Sequence, residues 1–179
     1  MELEFHQIAK KYERLRIVSP RDHGRLVASL SQEGQLHPVL VVKQEPSEGD
    51  GGGYVLIDGY RRVSELEALG RDTVSAEELS LSEPDALIFR YSQERGRQLS
   101  ALEEGWLLRE FEDQQGWSRP ELSRRFQRTE SWVSRRLALV RELPLSAQEL
   151  VRSGKLCTHG AQKYLVPLAR AKKYDFLEL

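Results

Sequence analysis

RPELSRRFQRTESWVSRRLALV, residues 119–140, reads as two short helices joined by a tight polar turn. Ser118 with Glu121 three positions on is a capping box that opens the first helix. Thr129 is placed to cap the second, in which Val133, Leu137 and Val140 fall at i, i+4 and i+7 and so turn inward. Ser131, Trp132, Ser134, Arg135 and Arg136 are left on or near the outer face. Between Ser118 and Arg141 stand seven arginines against two glutamates, a local balance of +5 in a chain whose formal net charge is −1. Helices of that length, spacing and charge suit a helix-turn-helix that lays its second helix in a DNA major groove. Hydroxyls and arginines reach phosphates and base edges there, and an arginine paired twice with guanine discriminates by roughly 1–3 kcal/mol. The expected DNA-facing set is Arg119, Thr129, Ser131, Trp132, Ser134, Arg135 and Arg136. The alternative is an arginine-rich solvated face of a helical bundle, with Trp132 as a packing residue.

The flanking sequence supports an all-helical second half. Residues 102–115 carry Glu103, Glu104, Glu110, Glu112 and Asp113 against Arg109, a balance of −4. A helix so acidic opposes phosphate and cannot be the one facing DNA. Ser146 and Glu149 suggest a further capping box, in a helix that Gly154 closes.

The first half alternates helical and strand patterns. Phe5, Ile8, Ala9, Tyr12 and Leu15 recur at helical spacing, and Ser19-Pro20 opens a second helix with Leu26, Val27 and Leu30 on its stripe and Gly34 at its end. HPVLVVK (37–43) and YVLID (54–58) read as strands, separated by EPSEGDGGG (45–53), a loop expected to be disordered at its tip. Val63, Leu66 and Leu69 make one face of a helix that Gly70 ends; a strand from Thr73 to Glu77 and a helix opened by Ser82 follow. RYSQERGRQLS (90–100) lacks an apolar period and marks the boundary. The expected architecture is an α+β domain over residues 1–92 followed by an all-α helix-turn-helix domain over residues 93–179.

Composition narrows the class. A charged fraction of 31% and a hydrophobic fraction of 39% are those of an ordinary globular protein. The longest apolar runs are far too short to cross a bilayer, and the first fifteen residues lack the apolar core of a secretory signal. One cysteine, Cys157, excludes an internal disulfide and a thiolate zinc cluster; it is expected to be a small buried or half-buried hydrophobe. His6, His23 and His159 share no metal-ligand spacing. A cytoplasmic, nucleoid-associated protein without membrane partners is the expectation.

LIDGYRRVSELEALG (56–70) places a glycine and two arginines directly after a strand and at a helix start. Backbone N–H groups there, backed by guanidinium groups, form an anion site suited to phosphate; the alternative makes Gly34 a plain helix stop and Arg61 and Arg62 surface charge. From about residue 17 to 168 the chain resembles the ParB family of DNA partition proteins. SLSQEGQLHPVLVV (29–42) is similar to that family's first nucleotide-contacting segment, and DGYRR (58–62) to its GERR phosphate motif. SALEEGWLLREF, the helix pair and LPLSAQELVRSGKL then follow in the family's order.

The resemblance implies a CTP-gated DNA clamp using Mg²⁺, a homodimer closing through its N-terminal domains on double-stranded DNA. Gly34, Gln35, His37, Pro38, Gly59, Arg61 and Arg62 would line the nucleotide, with Asp58 and Tyr60 in the same motif. Tyr60 replaces the family's glutamate, and the family's later ENxxR segment aligns to Ser92-Gln93 with no acidic pair. The family's N-terminal box is reduced to Ser19-Pro20-Arg21, and its Gly-His is reversed as His159-Gly160. At most slow CTP hydrolysis is therefore expected, with Asp58 the one placed carboxylate for Mg²⁺. The family's C-terminal dimerisation domain has no counterpart before Leu179, so the expectation is a truncated chain or another means of association. Sulfiredoxin chemistry needs a cysteine where Tyr60 stands, and a kinase or nuclease needs more carboxylates. The alternatives kept are a DNA-binding transcriptional regulator without nucleotide and a ParB-fold enzyme, either kinase or nuclease.

Overall fold

The computed structural model describes residues 1–17, 20–44, 53–93 and 99–171, with the backbone alone for residues 20–25. The Ser19 cap, the glycine-rich stretch at 45–52 and the polar stretch at 94–98 lie outside the described residues. The chain divides into two compact units, Met1–Gln93 and Glu94–Leu179.

The first unit is built on a mixed sheet of order β1-β5-β3-β4-β2. Its strands are β1 (Glu2–Glu4), β2 (Ile8–Ala9), β3 (Val39–Lys43), β4 (Tyr54–Asp58) and β5 (Thr73–Glu78). β3 pairs antiparallel with β4 and parallel with β5, and it is the middle strand. Val41, Val42, Val55, Leu56 and Ile57 are all buried, so β3 and β4 bury consecutive residues rather than alternate ones. That is the pattern of strands covered on both sides. The helices are α1 (Pro20–Glu33), α2 (Tyr60–Ala68) and α3 (Glu83–Ser92). α2 packs on α1, β3 and β5, and α3 on β4. Ser82 caps α3, its hydroxyl accepting from the Asp85 N–H.

The N-terminal segment overturns the helical reading of residues 5–15. It forms β1, a 3₁₀ turn at Phe5–Gln7, β2 and a second 3₁₀ turn at Glu13–Leu15. β1 pairs with β5 and β2 with β4, one at each edge of the sheet. Edge pairing with the sheet stabilises this segment, whereas an isolated helix of about eleven residues is marginal in water.

The second unit is helical among the described residues: α4 (Ala101–Gln115), α5 (Arg119–Phe126), α6 (Glu130–Arg141), α7 (Leu145–Arg152), then α8 (Thr158–Gly160), which runs through a π-helical stretch, Ala161–Leu165, into α9 (Val166–Arg170). α4 opens with a full capping box, Ser100 with Glu103, which the sequence reading missed. α4 and α6 cross at Gly105, where a Cβ would meet the Arg136 carbonyl oxygen at 2.6 Å. Leu102, Leu108, Leu122, Leu137 and Leu139 fill the centre. At Ser118 only half of the expected box forms: its hydroxyl accepts from the Glu121 N–H, but the Glu121 carboxylate turns to Arg124 and Arg125. The expected box at Ser146 is absent too, because α7 starts at Leu145 after Pro144. Gln148 is instead buried, donating to the Val140 and Leu143 carbonyls and accepting from the Trp106 indole. Cys157 is exposed, contrary to expectation, and its Sγ accepts from the Gly160 N–H.

Candidate functional site

In the first unit, β4 ends at Asp58 and α2 begins at Tyr60, leaving Gly59 as the joint. Its φ of +103° suits glycine, and a Cβ would lie 2.5 Å from Val39 Cγ1. The turn brings Arg62 beneath the segment that follows α1. Its Nη1 donates to the His37 and Pro38 carbonyls, both at 2.7 Å, and its Nη2 to Asp58 Oδ2 at 3.1 Å. Burial holds this guanidinium below its ordinary pKa, Asp58 opposing the shift and Arg90 adding to it. Arg62 is thus a bonded, largely buried group rather than the surface charge of the alternative reading.

Gln35 is equally committed. Its amide nitrogen donates to the Ser75 and His37 carbonyls, and its oxygen accepts from the Ser75 N–H. It stands in for a strand residue against β5. Gly34 ends α1 with φ +72° and open space around it, as a helix stop does. His37 is exposed and Pro38 half-buried. The structure therefore gathers Gln35, His37, Pro38, Asp58, Gly59 and Arg62 into one bonded cluster, with Arg61 half-buried beside it in sequence.

Tyr60 leaves that cluster. Its side chain is buried and its hydroxyl donates to the Leu56 carbonyl, while burial pushes the phenol well above its usual pKa. As a nucleotide-lining side chain Tyr60 is corrected; as a core residue it anchors the start of α2. The residue missed by sequence reading is Arg90, from α3. Its Nε lies 3.0 Å from Asp58 Oδ1, off the N–H axis, so this buried nitrogen has no hydrogen bond. Its distance in sequence hid it; only its place in the last turn of a helix starting at Ser82 was readable. Ser92 and Gln93 are exposed, and Ser92 Oγ donates to the Phe89 carbonyl. Among the described residues no group of three or more His, Cys, Asp or Glu could hold a metal ion. Both oxygens of Asp58 already face arginines, so these residues do not fit a protein-held Mg²⁺.

In the second unit α5 and α6 are joined by residues 127–129. Gln127 takes φ +51°, Ser123 Oγ donates to the Arg128 carbonyl, and the Thr129 hydroxyl accepts from the Trp132 N–H. Val133, Leu137 and Val140 are buried as their spacing requires. The arginines divide sharply. Arg124 and Arg125 both pair with Glu121, whose carboxylate they hold below its ordinary pKa through hydrogen bonds. Arg141 pairs with Glu112 and Asp113, and Arg136 with Glu104, all three acids on α4. Arg136 also lies over the half-buried Trp132 ring, 5.4 Å from its centroid, with Arg128 at 5.6 Å. Arg136, expected on or near the outer face in the DNA-facing set, is engaged by Glu104 of α4. Ser131 and Arg135 are exposed; among the described residues the Arg135 guanidinium makes no hydrogen bond or ion pair. Arg119 donates to Ser134 Oγ at 3.5 Å, linking the two helices beside it. No described helix is long and apolar enough to cross a membrane.

No family model matches the chain, and no curated protein sequence matches it. Solved structures do. The pNOB8-like ParB-N domain is 17% identical, over 96% of this chain and 81% of that one, with a TM-score of 0.55. C-terminally truncated chromosome-partitioning protein ParB from Caulobacter crescentus, complexed to the centromeric parS site, is 21% identical over 99% of this chain and 95% of that one, with a TM-score of 0.50. The same protein complexed with CTP-γ-S is 22% identical over 97% and 98%, with a TM-score of 0.44. Likeness at these identities is likeness of fold: the chain has the α+β architecture of ParB N-terminal regions.

Proposed function

We propose that this chain is a ParB-like DNA-binding protein of the partition type, a nucleotide-gated clamp on double-stranded DNA. Nucleotide binding falls to residues 1–92, and DNA binding to a helix-turn-helix domain over residues 93–179. The observation that carries the reading is a fold likeness running almost the full length of both chains to a ParB complexed to its parS site. Residue chemistry supports it in each unit.

On the DNA side, Arg135 and Ser131 are exposed on α6, and Arg119, Thr129 and Ser134 lie on the α5–α6 pair. An unpaired guanidinium is the one that gains most from phosphate or guanine, since it gives up no internal partner. On the nucleotide side, the first-turn N–H groups of α2 and the guanidinium groups of Arg61 and Arg90 offer donors to phosphate oxygens. Arg62 and Gln35 act as positioning residues that hold the His37–Pro38 backbone against α2 and β5. CTP is the nucleotide that the sequence resemblance implies. Occupancy of this site would favour pairing of two N-terminal units, a population shift rather than a chemical cycle. Hydrolysis needs carboxylates beside the phosphates, and Asp58 is engaged by Arg62 and Arg90.

A DNA-binding regulator without nucleotide is the second reading. It is favoured by the commitment of the Gln35 amide and of both Arg62 Nη nitrogens to protein partners. Two measurements decide. Gel shifts with a genomic fragment pool should give binding that falls steeply between low and moderate salt. Calorimetry with CTP, ATP, GTP and UTP should show heat with CTP, strengthened by the selected DNA. Salt-sensitive DNA binding with no nucleotide heat would select the regulator, and no DNA binding at all would remove both readings.

A further inference from the structure

The residues around Asp58 point away from the metal that the family resemblance implies. A triphosphate carried with Mg²⁺ is usually met by one or two protein carboxylates that complete the ion's octahedron. Here Asp58 is the carboxylate at the β4–α2 joint, and each of its oxygens already faces a guanidinium. Oδ2 accepts from Arg62 Nη2 at 3.1 Å and Oδ1 lies 3.0 Å from Arg90 Nε. Evicting either guanidinium leaves a partly buried cation without its counter-charge. Arg90 stands in a different position from Arg62. Arg62 donates to two carbonyls and a carboxylate, whereas the buried Nε of Arg90 has its carboxylate near but no hydrogen bond. Two arginines, Arg62 and Arg90, against one aspartate give the cluster a net positive balance.

We propose that this site binds the phosphates of its nucleotide without a divalent cation, the Arg90 guanidinium at the Asp58–Gly59 joint supplying the charge that a metal would supply. Guanidinium is suited to the role, because it is always charged and presents donors in a planar fork that matches phosphate oxygens. The inference rests on the nucleotide-clamp reading. It changes what the clamp senses: free nucleotide rather than its magnesium complex.

The test is equilibrium binding of CTP, with inorganic tripolyphosphate as a base-free probe, to the full chain in Mg²⁺ and in EDTA. Comparable affinity in the two buffers, within about threefold, is expected. Arg90→Gln should weaken binding in EDTA at least tenfold, and Mg²⁺ should recover part of the loss, because Asp58 Oδ1 is released from its cation. Arg90→Lys should retain more binding than Arg90→Gln in EDTA. Circular dichroism melts of both variants separate loss of charge from loss of fold: a variant that has unfolded is replaced by Arg90→Met, which keeps the aliphatic stem. Wild-type binding that requires Mg²⁺ overturns the inference and leaves the nucleotide reading standing. Unchanged EDTA binding in a folded Arg90→Gln also overturns it. Absence of binding in either buffer removes the nucleotide reading and the inference together.

Discussion

The arginines of the two units are placed in opposite ways. In the first unit Arg62 is pinned by two backbone carbonyls and one carboxylate, and its partners lie up to 25 residues away. In the second, Arg124, Arg125, Arg136 and Arg141 are pinned by acids of α4 and α5, while Arg135 is left to solvent. The local balance of +5 over α5 and α6 is therefore not the charge that these helices present. Much of it is cancelled within the unit, and the acidic α4 is where much of the cancelling charge resides. An acidic helix packed against a basic one is both a neutralising partner and a means of selecting which arginine remains available. A guanidinium committed to structure costs stability when removed, and one left free costs binding.

The sharpest way to break this contrast is at the joint that holds the first cluster. Gly59→Ala should destabilise the first unit by about 2–4 kcal/mol, from positive-φ strain and a Cβ driven into Val39. Urea denaturation followed by circular dichroism checks it. A loss under 1 kcal/mol would mean that the turn relaxes and that the cluster is not held as described.

Next comes a pair of variants that should split cleanly. Arg62→Ala should cost about 1–3 kcal/mol of stability, toward the lower end because the side chain is 21% exposed. Arg135→Ala should leave stability within about 0.5 kcal/mol but weaken DNA binding by roughly 1–3 kcal/mol. Thermal melts and salt-dependent gel shifts of both variants give the answer. If Arg135→Ala binds DNA like the parent, α6 is not the reader.

The smallest effect concerns Glu121. Its carboxylate is held below the ordinary value by hydrogen bonds from Arg124 and Arg125. A depressed folded-state pKa contributes stability above the unfolded value and loses it as pH falls through the folded one. The carboxylate lies at the surface, where solvent screens its pairs, so the effect should be seen in the titration rather than in a melt. Carboxyl chemical shifts should place the Glu121 midpoint below that of an exposed glutamate, and the Arg124→Ala, Arg125→Ala double variant should restore it. An ordinary midpoint in the parent would show these ion pairs to be absent in solution.

How much was legible follows from the reach of each interaction. Val133, Leu137 and Val140 were readable as buried because period and burial are linked within a single helix. The strands at β3 and β4 and the Thr129 and Ser82 caps were readable for the same reason, each being decided within a few residues. Residues 5–15 were misread because the segment is shaped by strands some fifty and seventy positions away, not by its own periodicity. The buried role of Gln148 was not readable because its partners, Trp106 and the end of α6, lie across the helical unit.

Residue type and spacing were enough to single out two arginine-bearing segments, the Asp58–Arg62 motif after a strand and the α5–α6 pair. These are local facts of residue type and spacing. Tertiary structure alone decided which of those side chains are free. It turned Tyr60 into the core, engaged Gln35 and Arg62 with backbone groups, brought Arg90 to Asp58 and tied Arg136 to Glu104. The physical reason is that a partly buried polar or charged group must find a partner, and the partner is supplied by whichever element the fold places beside it.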